Sequence, residues 1–205
     1  ELVTDGTLSD LNNLDGERYV LGMRNSGAEQ TGAFILDALG IDYANKFNLA
    51  YMGYGASASA LQDGNIVGMN VPAGAPVTSI TQAYAQLAGR MRVLNFSQQE
   101  MDAVNAQYPL WDFYDLAPGT YPYQDEVVTT ASSPNVFVVR DDVPEEIVYQ
   151  LTRLLWDNLA TLQEIHSATK QMSIEDALKG NPIPLHPGAL RYYQERQIDI
   201  PDHLF

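Results

Sequence analysis

Apolar and polar positions along the first half of the chain follow two periods, one of strands and one of helices. The run Arg18–Gly22 (RYVLG) predicts a strand that ends in a loop, Met23-Arg24-Asn25. Thr31, Phe34, Ile35, Ala38 and Leu39 then recur at helical spacing. Ser26 and Glu29 stand as an S-x-x-E box at the start of that helix, and Gly40 stands as its stop. Residues 47–51 alternate as a strand, 57–63 predict a short helix closed by Gly64, and 65–71 return as a strand. Residues 77–87 place Ile80, Tyr84 and Leu87 on one helical face, and 91–96 predict a further strand. Ser97 and Glu100 form a second capping box before Met101, Val104 and Tyr108. This βαβα rhythm predicts an α/β lobe with a largely parallel sheet over residues 1–105.

The pattern changes in residues 106–205. Residues 108–134 are rich in Pro, Gly, Tyr and Asp and predict an ordered, winding connection. Residues 135–140 (NVFVVR) predict an apolar strand. Pro144, Glu145 and Glu146 open a long helix, where a proline and carboxylates suit the positive end. Val148, Leu151, Leu155, Leu159 and Leu162 give it one apolar stripe. Residues 173–178 predict a short helix ending at Gly180, and a last helix carries Leu190, Tyr192 and Tyr193.

Charge and composition narrow the function classes. Eleven basic residues face 26 acidic ones, a net charge of −15, in a chain of 205 residues. Such a chain is repelled by a phosphate backbone, so nucleic acid is not an expected partner. A small anion is not excluded, because a local site outvotes a net charge. With no cysteine, disulfides, thiolate chemistry and Cys-based zinc sites are ruled out. No apolar run approaches the roughly 18–20 residues that span a bilayer, so direct membrane insertion is not expected. The first residues, Glu1 to Asp5, do not read as a signal peptide.

The candidate chemistry is concentrated in two loops. A helix start leaves N–H groups unpaired and carries partial positive charge. The amides of Gly27, Ala28 and Glu29 therefore suit a carboxylate or phosphate, with Arg24 as an added cation and Asn25 and Ser26 beside it. The same signature also suits a helix that simply caps itself. Pro72, Ala73 and Gly74 follow a predicted strand, where α/β sheets place ligands, or they form an ordinary strand-to-helix connection. Tyr114, Tyr121 and Tyr123, with Trp111 and Phe113, either wall a ligand cleft or pack as core beneath a long loop. His166, His186 and His203 follow no metal-ligand pattern, and His186 reads as a helix cap. G-x-S-x-G, H-E-x-x-H and P-loop motifs are absent. The expectation is a chain with no catalytic residues, no metal and no cofactor.

Four stretches resemble the TAXI family of TRAP-associated solute receptors. They are the C-terminal PIPLHPGALRYYQERQIDIPD, the APGTYPYQD segment, LDGERYV before the Gly22 loop, and the strand–turn–helix over 135–152. The resemblance covers nearly the whole chain. It implies a type II periplasmic-binding-protein-like α/β fold that captures a small organic anion, glutamate-like or dicarboxylate. It also implies a periplasmic location and delivery to the membrane subunits of a TRAP transporter. The family's G-x-x-G-S-G-T loop maps onto Gly22 through Ala28, with Asn25 in place of a glycine and Ala28 in place of the threonine. The family's I-D-A is Ile66-Val67-Gly68 here. On this resemblance residues 1–105 are the second ligand-binding lobe. Residues 106–205 are the crossover and C-terminal helices of a first lobe whose remainder the chain lacks, so the helical stripe is expected to lack its natural partner. The alternatives are a small-molecule hydrolase or other enzyme on an α/β fold, and a degenerate copy acting through protein contacts.

Overall fold

The computed structural model describes residues 2–205. It divides into two compact units, Glu1–Ser132 and Ser133–Phe205, each with its own core.

In the first unit β1 (Arg18–Gly22), β2 (Asn48–Tyr51) and β3 (Gly68–Met69) form a parallel sheet in the order β2-β1-β3. Val20 pairs with Ala50 on one side and Met69 on the other. Beyond Arg18 every residue of the central strand is buried, as a parallel sheet covered on both faces requires. The strand's period of two sorts its side chains. Tyr19 and Leu21 join Leu11, Leu14, Leu36 and Phe47 in one cluster, whereas Val20 joins Ala50 and Ile66 in another.

Each strand runs into a helix. α1 (Gly27–Ala38) follows β1, α2 (Tyr43–Lys46) precedes β2, α3 (Tyr54–Gln62) follows β2, and α4 (Thr78–Leu87) follows β3. α5 (Gln98–Asn105) begins with a complete capping box. The Ser97 Oγ accepts the Glu100 N–H at 3.3 Å, and the Glu100 carboxylate accepts the Ser97 N–H at 2.7 Å. α1 stops at Gly40, whose φ of +73° lets the chain turn back and the Ile41 N–H reach the Leu36 carbonyl.

Several predicted elements take other forms. Residues 91–96 make no strand beyond one bridge between Thr7 and Asn95. Their apolar side chains serve elsewhere: Met91 and Val93 pack against the cluster of Ile80, Tyr84, Leu116 and Tyr121, and the Val93 N–H donates to the Tyr84 hydroxyl at 2.9 Å. The strand predicted over 65–71 shrinks to two residues. The winding connection contains an antiparallel pair, β4 (Asp112–Leu116) with β5 (Val128–Ser132). The Gln124 side chain closes the turn between them, its amide nitrogen reaching the Leu116 and Glu126 carbonyls at 3.1 and 2.8 Å. This pair is tied to the first unit, since the Phe96 N–H donates to the Thr129 carbonyl at 2.9 Å and Tyr84 stacks on Tyr121. The division after Ser132 rather than near residue 105 follows from those ties.

The second unit is helical, built from α6 (Glu145–Asp157), α7 (Leu159–Ile165) and α8 (Pro187–Glu195) around Leu178, Tyr192, Tyr193 and Leu204. α6 and α8 approach closely at Gly188, where a Cβ would collide with the Glu145 carbonyl oxygen and stand 2.6 Å from the Tyr149 nitrogen. His186 caps α8 as expected: its Nδ1 accepts the Gly188 N–H at 3.2 Å, which leaves Nε2–H to donate to the Val143 carbonyl at 3.0 Å. The predicted long helix breaks at Asn158. Residues 135–140 form no strand, and 173–178 form turns rather than a helix. A strand needs a ladder, and among the described residues none pairs with 135–140. Val136, Phe137 and Val138 are consequently exposed, Phe137 to 80%. Of the predicted stripe only Val148 is buried; Leu155, Leu159 and Leu162 are half-buried and Leu151 is exposed.

Candidate functional site

The carboxyl ends of β1, β2 and β3 lie at one edge of the sheet; α1 and α3 start close after β1 and β2, and α4 follows β3 after residues 70–77. Open α/β sheets place ligands at this edge. Four contacts knit the loops there into one surface. The Arg24 guanidinium lies 3.8 Å over the Tyr51 ring. The Tyr54 hydroxyl donates to the Pro72 carbonyl at 3.0 Å. The Asn70 amide donates to the Ala28 carbonyl at 2.8 Å. A Cβ at Gly53 would sit 3.7 Å from the Met23 sulfur.

Gly22 makes the first loop possible. Its φ is +139°, and a Cβ there would meet the Ala28 Cβ at 2.8 Å and the Glu29 nitrogen at 2.9 Å. Only a residue without a side chain lets α1 start directly against the strand end. Asn25 has a φ of 60°, a left-handed conformation that asparagine tolerates and glycine adopts freely. That explains why asparagine serves at a position where the TAXI pattern has glycine.

The capping at α1 is split. Ser26 Oγ accepts the Glu29 N–H at 3.2 Å, as the capping box predicts. The Glu29 carboxylate, however, accepts the Asn25 N–H at 2.5 Å, rather than closing the box on Ser26. The amides of Gly27 and Ala28 precede the first intrahelical bond and have no intrahelical acceptor. Gly27 is exposed, with open space where a Cβ would be. Gly53 is the N-cap of α3 and Val77 that of α4, and neither supplies a side-chain bond. The positive ends of α1 and α3 thus start at one sheet edge, beside a cation held on an aromatic face.

Arg24, Asn25, Ser26, Gly27 and Ala28 form the first of these loops, and Pro72, Ala73 and Gly74 lie exposed in the third. Tyr121 does not face an open wall. It is buried, it stacks on Tyr84 at 5.1 Å, and its hydroxyl accepts the Val77 N–H at 3.2 Å. Burial pushes the phenols of Tyr84 and Tyr121 above their ordinary range. Tyr121 braces the end of the 70–77 loop from beneath. Tyr51, Gly53, Tyr54 and Asn70 were missed by sequence reasoning. The signal was available: Tyr51-Met52-Gly53-Tyr54 is a strand end running into a helix, the same reading that singled out residues 22–27.

The site offers binding groups rather than reactive ones. Ser57 Oγ donates to the Gly53 carbonyl at 3.0 Å, and Ser26 Oγ accepts a backbone amide. Among the described residues, no group of three or more His, Asp or Glu side chains is placed to hold a metal ion. No described helix is long and apolar enough to cross a membrane.

The sequence matches the NMT1-like family over residues 2–196. That family consists of solute-binding proteins of the periplasm and is not an enzyme family. Its members bind a small molecule and work with a membrane transporter. The parallel sheet with its covering helices agrees with a periplasmic-binding-protein-like α/β lobe. With a match spanning nearly its whole length, the chain belongs to the NMT1-like family of periplasmic solute-binding proteins.

Proposed function

We propose that the chain is a TAXI-type receptor that captures a small organic anion, glutamate-like or a dicarboxylate, for a TRAP-type transporter. The supporting observation is the pair of free amides at Gly27 and Ala28, beside Arg24, at the carboxyl edge of a parallel sheet. The ligand carboxylate rests on those amides. Arg24, Asn25 and Ser26 line its near side, and Pro72, Ala73 and Gly74 lie along the adjoining loop. Oriented backbone donors bind without any covalent step, which suits capture and release. Native mass spectrometry of protein purified without refolding tests this. A stoichiometric organic acid that is lost on mild activation is expected; an acid-free protein that also fails to bind L-glutamate and succinate in calorimetry overturns the reading.

A further inference from the structure

The start of α1 is held mostly by its own neighbours. The Ser26 N–H donates to the Met23 carbonyl at 3.1 Å, the Asn25 N–H to the Glu29 carboxylate, and the Glu29 N–H to Ser26 Oγ. Among the described residues, the hydrogen bond that reaches residues 23–29 from outside α1 and its own loop is that of Asn70. Asn70 stands where β3 gives way to the 70–77 loop. Its backbone N–H donates to the Val20 carbonyl at 2.8 Å, so its backbone is fixed to the sheet. Its side-chain nitrogen lies 2.8 Å from the Ala28 carbonyl oxygen and 3.4 Å from that of Leu21. A primary amide carries two N–H donors, so one group serves both the end of β1 and the first turn of α1. Gly32, one turn further along α1 and buried, makes the room. A Cβ there would stand 2.8 Å from the Asn70 amide nitrogen and 3.0 Å from Leu21 Cδ2. A side chain at 32 would therefore push the amide off Ala28.

We propose that Asn70 is a positioning residue of the sheet-edge site, with Gly32 as the space it needs. Both of its N–H donors are committed to backbone, so it acts through Ala28 rather than on the ligand. It sets the first turn of α1 against β1 and ties the first loop to the third. Donors fixed in direction before a ligand arrives bind it more tightly than donors that must be ordered by it. The inference rests on the reading that a ligand carboxylate sits on the Gly27 and Ala28 amides. The test is calorimetry with succinate and L-glutamate, beside thermal melts of each variant. Asn70→Leu keeps the size of the side chain and removes its donors. It is expected to weaken binding about fivefold, the order of one hydrogen bond. Gly32→Ala displaces the same amide from the helix side and is expected to lose a similar factor. Asn70→Ala combined with Gly32→Ala should bind no more weakly than Asn70→Ala alone, because losses that belong to one bond do not add. Leu36→Ala, in the buried face of α1, is the control for stability alone: it should lower the melting temperature and leave affinity unchanged. If Asn70→Leu does not fold, Gly32→Ala decides, since it breaks the same bond. Unchanged affinity in Asn70→Leu, additive losses in the double variant, or an equal loss in Leu36→Ala would each overturn the inference. Failure of the unaltered chain to bind either acid would instead overturn the α1 site itself, and this inference with it.

Discussion

Placing a carboxylate at Gly27 separates the binding role of the α1 start from its structural role. Gly27 is the first residue of α1, it is exposed, and nothing lies within 4 Å of where its Cβ would be. Gly27→Asp therefore creates no collision. A carboxylate in the first turn of a helix stabilises it by about 0.3–1 kcal/mol. The Glu29 carboxylate already bonded to the Asn25 N–H offsets part of that gain by repulsion. The melting temperature should consequently move by no more than about 3 °C in either direction. A ligand carboxylate on the Gly27 and Ala28 amides would meet the new charge at close range. Two like charges about 4 Å apart repel by about 1 kcal/mol in bulk water and about 4 kcal/mol at an effective dielectric of about 20. Since each 1.4 kcal/mol is about tenfold, affinity should fall between about fivefold and about a thousandfold. Calorimetry with L-glutamate and succinate measures it, with Gly27→Ala as the uncharged control. Equal affinity for Gly27→Asp and Gly27→Ala, with both folded, would refute the placement of the ligand at α1.

Other expectations are independent of that one. Gly55, in the first turn of α3, also has open space around its Cβ; Gly55→Asp should weaken the same acids less than Gly27→Asp, read by the same calorimetry. Asp10 accepts N–H bonds from Thr4, Asp5 and Gly6, and the Thr4 amide leads in holding its carboxyl down to about 2. A depressed carboxyl contributes stability above its ordinary pKa of 3.8 that is lost as pH falls toward 2. Thermal melts from pH 5 to pH 2 should show that loss, and Asp10→Asn should flatten it. Gly188→Ala forces a methyl against the α6 backbone and should destabilise the helical unit by about 1–3 kcal/mol, measured by urea unfolding.

Parts of this fold were legible because local chemistry decided them. Ser26, Ser97, Gly40 and His186 start or stop helices through bonds to residues no more than four positions away, so their neighbours in sequence are their partners in space. Arg18–Gly22 was legible for a different reason: a strand buried on both faces beyond Arg18 carries no polar side chain there apart from the Tyr19 hydroxyl. The strands that failed were those whose identity depends on a partner. Residues 91–96 and 135–140 have the β-branched, apolar composition of strands, but composition cannot supply the second edge a ladder needs. Conversely, β4 and β5 were hidden because the Pro-, Gly-, Tyr- and Asp-rich stretch around them reads as a connection, and it is the buried Gln124 that ties the two ends together. The candidate site divides along the same line. The geometry of residues 24–28 was legible because a helix start is a local event. Tyr51 enters only through the Arg24 guanidinium packed on it, and Asn70 only through the Ala28 carbonyl 42 positions away. Tyr121 was drawn to the site by its place in a loop of aromatics, and burial against Tyr84 took it out. At an edge shared by three parallel strands the surface is assembled from three loops, and the pattern of any one loop does not show what the other two bring to it.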